Sequence, residues 1–143
     1  MHKIGSIPFK VYKNKVAVLF VTSQVRGRWI LPKGELNDNE SHEDACHRET
    51  YNESGAKGIM MKNFPITKSI TKLTTKGIVS NSVTFYPLIV ENQDNEWPDK
   101  NKRQRLLERH SDVVTVNKEL GTYKRLEIQH RRNRIRYPSR IPI

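Results

Sequence analysis

The sequence predicts one domain of the α/β (α+β) class, a mixed β-sheet with two helices, and three observations carry the prediction. Apolar residues collect into strand-length runs rich in β-branched and aromatic side chains, instead of following a helical period through the chain. One segment, 41–54, carries a helix start at Ser41 and is followed by a helix stop at Gly55. The 143 residues suffice for one buried core, and the 35% of hydrophobic residues, although low, is grouped in a way that disordered chains lack.

Residues 4–12 and 15–23 read as a strand pair turning at Lys13-Asn14, and 28–31 as a short third strand. The longest apolar run, Val16-Ala17-Val18-Leu19-Phe20-Val21, is six residues, far short of the ~20 that cross a bilayer. No membrane partner is therefore expected, and no signal peptide is read ahead of it. The single cysteine, Cys46, rules out an internal disulfide and fits a reducing cytoplasm. Its place beside Ala45 makes it packing filler.

Ser41-His42-Glu43-Asp44 has the form of a capping box, with the Ser41 hydroxyl taking a free helical amide and Asp44 reaching back. Glycine at 55 suits the left-handed residue that closes a helix. Beyond it, 56–69 and 77–91 read as strands, 72–77 as a polar turn, 91–102 as a loop, 103–107 as a strand and 110–120 as a second helix. No internal repeat is evident. His2, His42, His47, His110 and His130 lack the spacing and the cysteine partners of a zinc cluster, and no phosphate-loop motif follows Lys33-Gly34.

Within the 41–54 helix, Glu49 and Glu53 stand four residues apart and share a face on successive turns. Their repulsion is about a few tenths of a kcal/mol on an exposed helix, and a bound hard cation turns it into attraction. Two such glutamates alone read as a solvated face, and Asp44 with Arg48 as an ordinary ion pair. Gly34, Glu40, Arg48 and Gly55 at set offsets form a loop-to-helix frame that a solvated face does not need.

This pattern resembles the Nudix box, Gly-x5-Glu-x7-Arg-Glu-U-x-Glu-Glu-x-Gly-U, where U is a bulky aliphatic residue. Gly34, Glu40, Arg48, Glu49, Glu53 and Gly55 fill its fixed positions; Asn52 stands where the family has a glutamate, and Thr50 and Ala56 occupy aliphatic positions. The resemblance implies an α/β/α sandwich with a mixed sheet and a loop–helix–loop that binds magnesium or manganese to cleave a pyrophosphate linkage. It implies Glu49 and Glu53 as metal ligands, Glu49 also as water-activating base, and Arg48 and Glu40 as braces of loop against helix. Asn52 keeps an oxygen ligand and removes a negative charge.

The chemistry accounts for these residue types. Pyrophosphate resists water because its charges repel a nucleophile, so a catalyst must neutralise oxygens and deliver an oriented hydroxide. Magnesium held by two carboxylates, substrate phosphate and retained waters does both. Glu91, Glu96 and Glu119 are candidates for a further ligand from beyond the box.

Trp29-Ile30-Leu31-Pro32-Lys33-Gly34 and Glu96-Trp97-Pro98-Asp99-Lys100-Asn101-Lys102-Arg103-Gln104-Arg105 are similar to the diphosphoinositol polyphosphate phosphohydrolase branch, which also hydrolyses diadenosine polyphosphates; the likeness covers about residues 16–110. Lys33-Gly34-Glu35 departs from that branch's glycine triplet and is closer to dinucleotide-cleaving relatives. Thr71 and Leu73 stand where markers of ADP-ribose and coenzyme A branches would be. A polyphosphorylated small molecule needs several cations, and Lys33, Gly34, Lys76, Arg103 and Arg105 lie in segments able to surround the box as substrate-binding residues.

Lysine and arginine outnumber aspartate and glutamate by 26 to 15. The organisation read from this is a domain over 1–123 and a basic extension over 124–143, where Lys124, Arg125, Arg131, Arg132, Arg134, Arg136 and Arg140 face only Glu127. Such a tail favours anionic partners, nucleic acid among them. Three functions follow: a magnesium- or manganese-dependent hydrolase of diadenosine polyphosphates or inositol pyrophosphates, an RNA 5′-end pyrophosphohydrolase held by the tail, or a non-catalytic nucleotide-binding module.

Overall fold

Two long strands, β1 (His2–Tyr12) and β7 (Gly77–Gln93), run parallel at the centre of one mixed sheet in the computed structural model, which describes residues 2–110 apart from 14 and 26. Every other pairing is antiparallel. β2 (Lys15–Thr22) pairs along the far half of β1 and β4 (Lys33–Glu35) along its near half, both on the edge opposite β7. On the other edge of β7, β6 (Ile66–Thr74) covers the first half and β5 (Ala56–Met60) the second. β8 (Arg105–His110) lies along the outer edge of β2, and β3 (Trp29–Ile30) pairs with the end of β2.

Alternation along the central strands sorts their side chains into two cores. Ile7, Phe9, Val18, Phe20, Val83, Phe85 and Leu106 fill one face, closed over by Trp29 and Leu31. Ile4, Ala17, Leu19, Tyr86, Leu88, Val90 and Leu107 fill the other, where α1 (His42–Ser54) supplies Ala45 and Cys46. The helix sits close because its buried residues are small. Thr50, at an aliphatic position of the motif, is tolerated there because its hydroxyl donates to the Cys46 carbonyl at 2.6 Å; Ser54 donates to Thr50 in the same way. Burial pushes the Cys46 thiol up to about 12, in keeping with a packing residue.

The α+β class and the mixed sheet are as the sequence predicts; of the two helices of the expected α/β/α sandwich the described residues hold one, on one face, and the elements differ in four places. The stretch 56–69 is broken at Lys62-Asn63-Phe64-Pro65 into β5 and the start of β6, because proline cannot donate to a ladder. The polar 72–77 segment is mostly strand: the turn is only Thr75-Lys76, and Gly77 takes the positive φ of 109° that closes the ribbon. β4 is additional, and β8 extends to His110, placing that residue in a strand. The second helix over 110–120, the extension 124–143 and Glu119 lie outside the described residues. Among the described residues no helix is long and apolar enough to cross a membrane.

Candidate active site

The helix carrying the acidic pair is fixed at both ends. At its start the Ser41 hydroxyl accepts from the Asp44 amide at 3.0 Å, and Glu43 and Asp44 in the first turn complement the helix dipole. At its end Gly55 takes φ 72° and its amide donates to the Tyr51 carbonyl. The other terminal carbonyls are met by one remote segment. Asn52 accepts from the Asp99 amide (3.0 Å), Glu53 from the Trp97 indole (3.1 Å) and Ser54 from the Arg105 guanidinium (2.8 Å).

Across from the helix, β4 brings Lys33, Gly34 and Glu35 alongside β1, with Ile4 opposite Gly34. The Glu49 carboxyl lies against Gly34 so closely that a methyl group there would overlap it and push the carboxyl aside, so the first glycine of the motif leaves room for Glu49 where it stands. Arg48 joins loop to helix. Its Nε and Nη2 donate to the two Glu40 carboxylate oxygens at 2.8 and 2.9 Å, Nη2 also to the Glu35 carbonyl at 2.9 Å, and Nη1 to Glu49. Arg48 therefore turns to Glu40, not to Asp44. With a second bond from the Asn37 amide, Arg48 holds the Glu40 carboxyl down to about 2.

Glu53, one turn on, is buried. Its Oε1 accepts from the Lys33 amide at 3.1 Å and its Oε2 pairs with Arg103 Nη2 at 3.0 Å. Arg103 is itself held at Nε by Asp99 (2.8 Å) and at Nη1 by the Thr22 carbonyl (2.9 Å). Burial pushes the Glu53 carboxyl up to about 7; Arg103, the Lys33 amide and the Lys33 charge oppose the rise, and the charge of Glu49 adds to it.

The fold thus brings together Gly34, Lys33, Glu40, Arg48, Glu49, Glu53 and Arg103. Asn52 is half-buried on the same helix, with its carbonyl bonded to Asp99. Two residues expected to contact substrate, Lys76 and Arg105, are not brought into this cluster by the contacts the structure shows. Lys76 is exposed in the β6–β7 turn, about 25 Å of strand beyond Thr84, whose partner Ile4 lies opposite Gly34. Arg105 donates from Nη1 to the Ser54 and Asp94 carbonyls and lies over the Trp97 ring at 3.9 Å from its centroid, so it caps the helix. Arg103 is at the site, but it grips Glu53 and Asp99. Of the further ligand candidates, Glu91 is exposed on β7 and Glu96 is paired with Lys100 at 2.6 Å. Sequence reading missed Asp99 and Trp97 as partners of the site; the i,i+4 spacing of Asp99 and Arg103 was the available signal.

Among the described residues no group of three or more His, Cys, Asp or Glu side chains is gathered tightly enough to hold a metal ion. Glu49 and Glu53 still fit magnesium or manganese. They repel each other on successive turns beneath a loop kept bare at Gly34, and magnesium takes one or two protein carboxylates with water and substrate oxygens.

Residues 4–132 match the family model described as NUDIX domain. The chain is 30% identical over 106 residues to Nudix hydrolase 21, chloroplastic, of Arabidopsis thaliana, covering 71% of this chain and 52% of that protein. It is 29% identical over 110 residues to Nudix hydrolase 4 of the same plant, with the same two coverages. The chain spans about half the length of these curated relatives. Its fold is similar to that of C. elegans Ap4A hydrolase (TM-score 0.56, 15% identity, 92% of this chain and 98% of that one). It is also similar to the NUDIX domain of Shewanella oneidensis NrtR complexed with ADP ribose (TM-score 0.59, 15% identity, 90% and 88%).

Proposed function

Since the chain belongs to the Nudix family, we propose that it is a magnesium- or manganese-dependent hydrolase of pyrophosphate linkages in nucleoside-diphosphate-type substrates, with diadenosine polyphosphates or inositol pyrophosphates as the class. The observation that carries this reading is the pair Glu49, against Gly34, and Glu53, on the Lys33 amide, each carboxylate held by an arginine. Glu49 and Glu53 would hold the ion, with Asn52 a weaker, uncharged oxygen donor beside them. The ion, when bound, supplies neutralisation of phosphate oxygens and a deprotonated water. Glu49 would be the group placed to accept the proton that this water gives up, and Arg48 with Glu40 holds Glu49 at the loop. Lys33 follows β3 directly into β4 and places its charge beside Glu53, where it meets the phosphate chain.

A screen of pyrophosphate compounds with magnesium, read by phosphate release and product mass, tests the proposal. Cleavage of dinucleoside polyphosphates or inositol pyrophosphates supports it. Tight binding of one compound with no cleavage of any would make the chain a nucleotide-binding module, a reading favoured by the neutral Asn52 and by the hold of Arg103 on Glu53.

A further inference from the structure

We infer that Arg103 is a positioning residue that holds Glu53 in the metal-free protein and gives it up when a divalent cation binds, remaining anchored by Asp99 and the Thr22 carbonyl. The inference rests on the reading of Glu53 as a metal ligand and adds a built-in competitor for it.

The geometry points to this exchange. Both Glu53 oxygens are engaged, and the two engagements differ in kind. Oε1 accepts from the Lys33 amide, which the β4 pairing with β1 keeps in place. Oε2 is held only by a side-chain donor, from which the Glu53 carboxylate can turn toward a bound ion while the guanidinium stays where it is. An ion bound to Glu53 therefore takes Oε2, and a guanidinium 3.0 Å from that oxygen would then face like charge. Release is tolerable because Arg103 does not become an unpaired buried cation. Its Nε stays on Asp99 at 2.8 Å and its Nη1 on the Thr22 carbonyl at 2.9 Å, in a setting where the arginine side chain is only 11% exposed. Without Asp99 the same movement would strand the charge, which is costly. Asp99 thus determines how readily Glu53 is surrendered, and Arg103 how much metal is needed to claim it.

The test is binding of Mn2+ alone to the full chain, followed by the electron paramagnetic resonance of free Mn2+, for the parent, Arg103→Gln, Asp99→Asn and Glu53→Gln. Arg103→Gln is expected to bind about tenfold more tightly, the worth of one charge-assisted hydrogen bond, and Asp99→Asn more weakly than the parent. General loosening of the segment would move both variants in one direction, so equal affinities, or shifts of the same sign, overturn the inference. If Arg103→Gln does not fold, Asp99→Asn decides: weaker binding supports the exchange, and unchanged or tighter binding overturns it. Unaltered Mn2+ binding by Glu53→Gln overturns the assignment of Glu53 as a ligand, a failure distinct from equal affinity of parent and Arg103→Gln. Binding by none of the four overturns the metal reading and this inference together.

Discussion

The two glutamates of the site are held by the same device at two depths. Glu49 is gripped by Arg48, whose fork closes on Glu40; Glu53 is gripped by Arg103, whose Nε is fixed by Asp99. The first trio is local, and its arginine side chain is 31% exposed. The second joins residues fifty positions apart, with arginine and glutamate side chains 11% and 5% exposed. Water reaches the arginine of the outer trio and screens it more than that of the inner one, so the outer trio can brace a loop at smaller energetic cost. Charge in the inner trio is expensive unless matched, which makes it sensitive to any new ion.

The comparison breaks most sharply at the carboxylates themselves. Glu53→Gln and Glu49→Gln should each lower kcat/KM on a pyrophosphate substrate by about a thousandfold or more, since a bound ion contributes several kcal/mol of charge stabilisation. Near-parental turnover by Glu53→Gln would leave the inner trio a purely structural ion pair.

Depth also predicts a pH dependence of the inner trio between the ordinary carboxylate range and neutrality, above the acid range in which Glu40 of the outer trio titrates. Folded Glu53 keeps its proton up to about 7, whereas the unfolded carboxyl keeps it only to its ordinary 4.5. Between these values the folded state binds the extra proton, so metal-free stability falls as pH rises through the window, with the whole penalty present above it. Relative to Glu53→Gln, the parent should lose roughly 3 kcal/mol between pH 4 and pH 8. Denaturant midpoints of the two proteins that stay parallel across that range would contradict the assignment.

Arg48→Ala sharpens the contrast from outside. It releases Glu40 and Glu49 while leaving both carboxylates, so activity should fall about tenfold, in the range of lost outer-shell partners, with little change in melting temperature. A large loss of stability would mean that the outer trio also carries the fold. The smallest effect is expected at Asn52→Glu, which restores a charge beside the pair; magnesium titration of the rate should shift to several-fold lower concentration. An identical titration would remove Asn52 from the ion's surroundings.

What was legible in the sequence follows the same division. Both ends of α1 could be read because Ser41 and Gly55 act within a turn of the helix, and the brace of Arg48 on Glu40 was implied by the resemblance of the Gly34-to-Gly55 spacing to the Nudix box. The strand core was legible through the runs of apolar, β-branched and aromatic residues in 16–21 and 83–90, which are buried on both faces or nearly so. The length of the β6–β7 ribbon was not, because Leu73, Ile78 and Val79 stand exposed and leave no inside-outside pattern to follow. The fates of Arg103 and Arg105 were hidden for another reason: their partners Glu53 and Ser54 are set by the packing of α1 against 94–105, which no local spacing encodes.

That packing has a mechanical consequence. Three carbonyls at the tail of α1 depend on Trp97, Asp99 and Arg105, so the segment acts as a splint across the end of the rod that bears Glu53. An insertion or a proteolytic nick between residues 94 and 105, although at the surface, would be transmitted along the helix axis and misalign an oxygen atom in the interior.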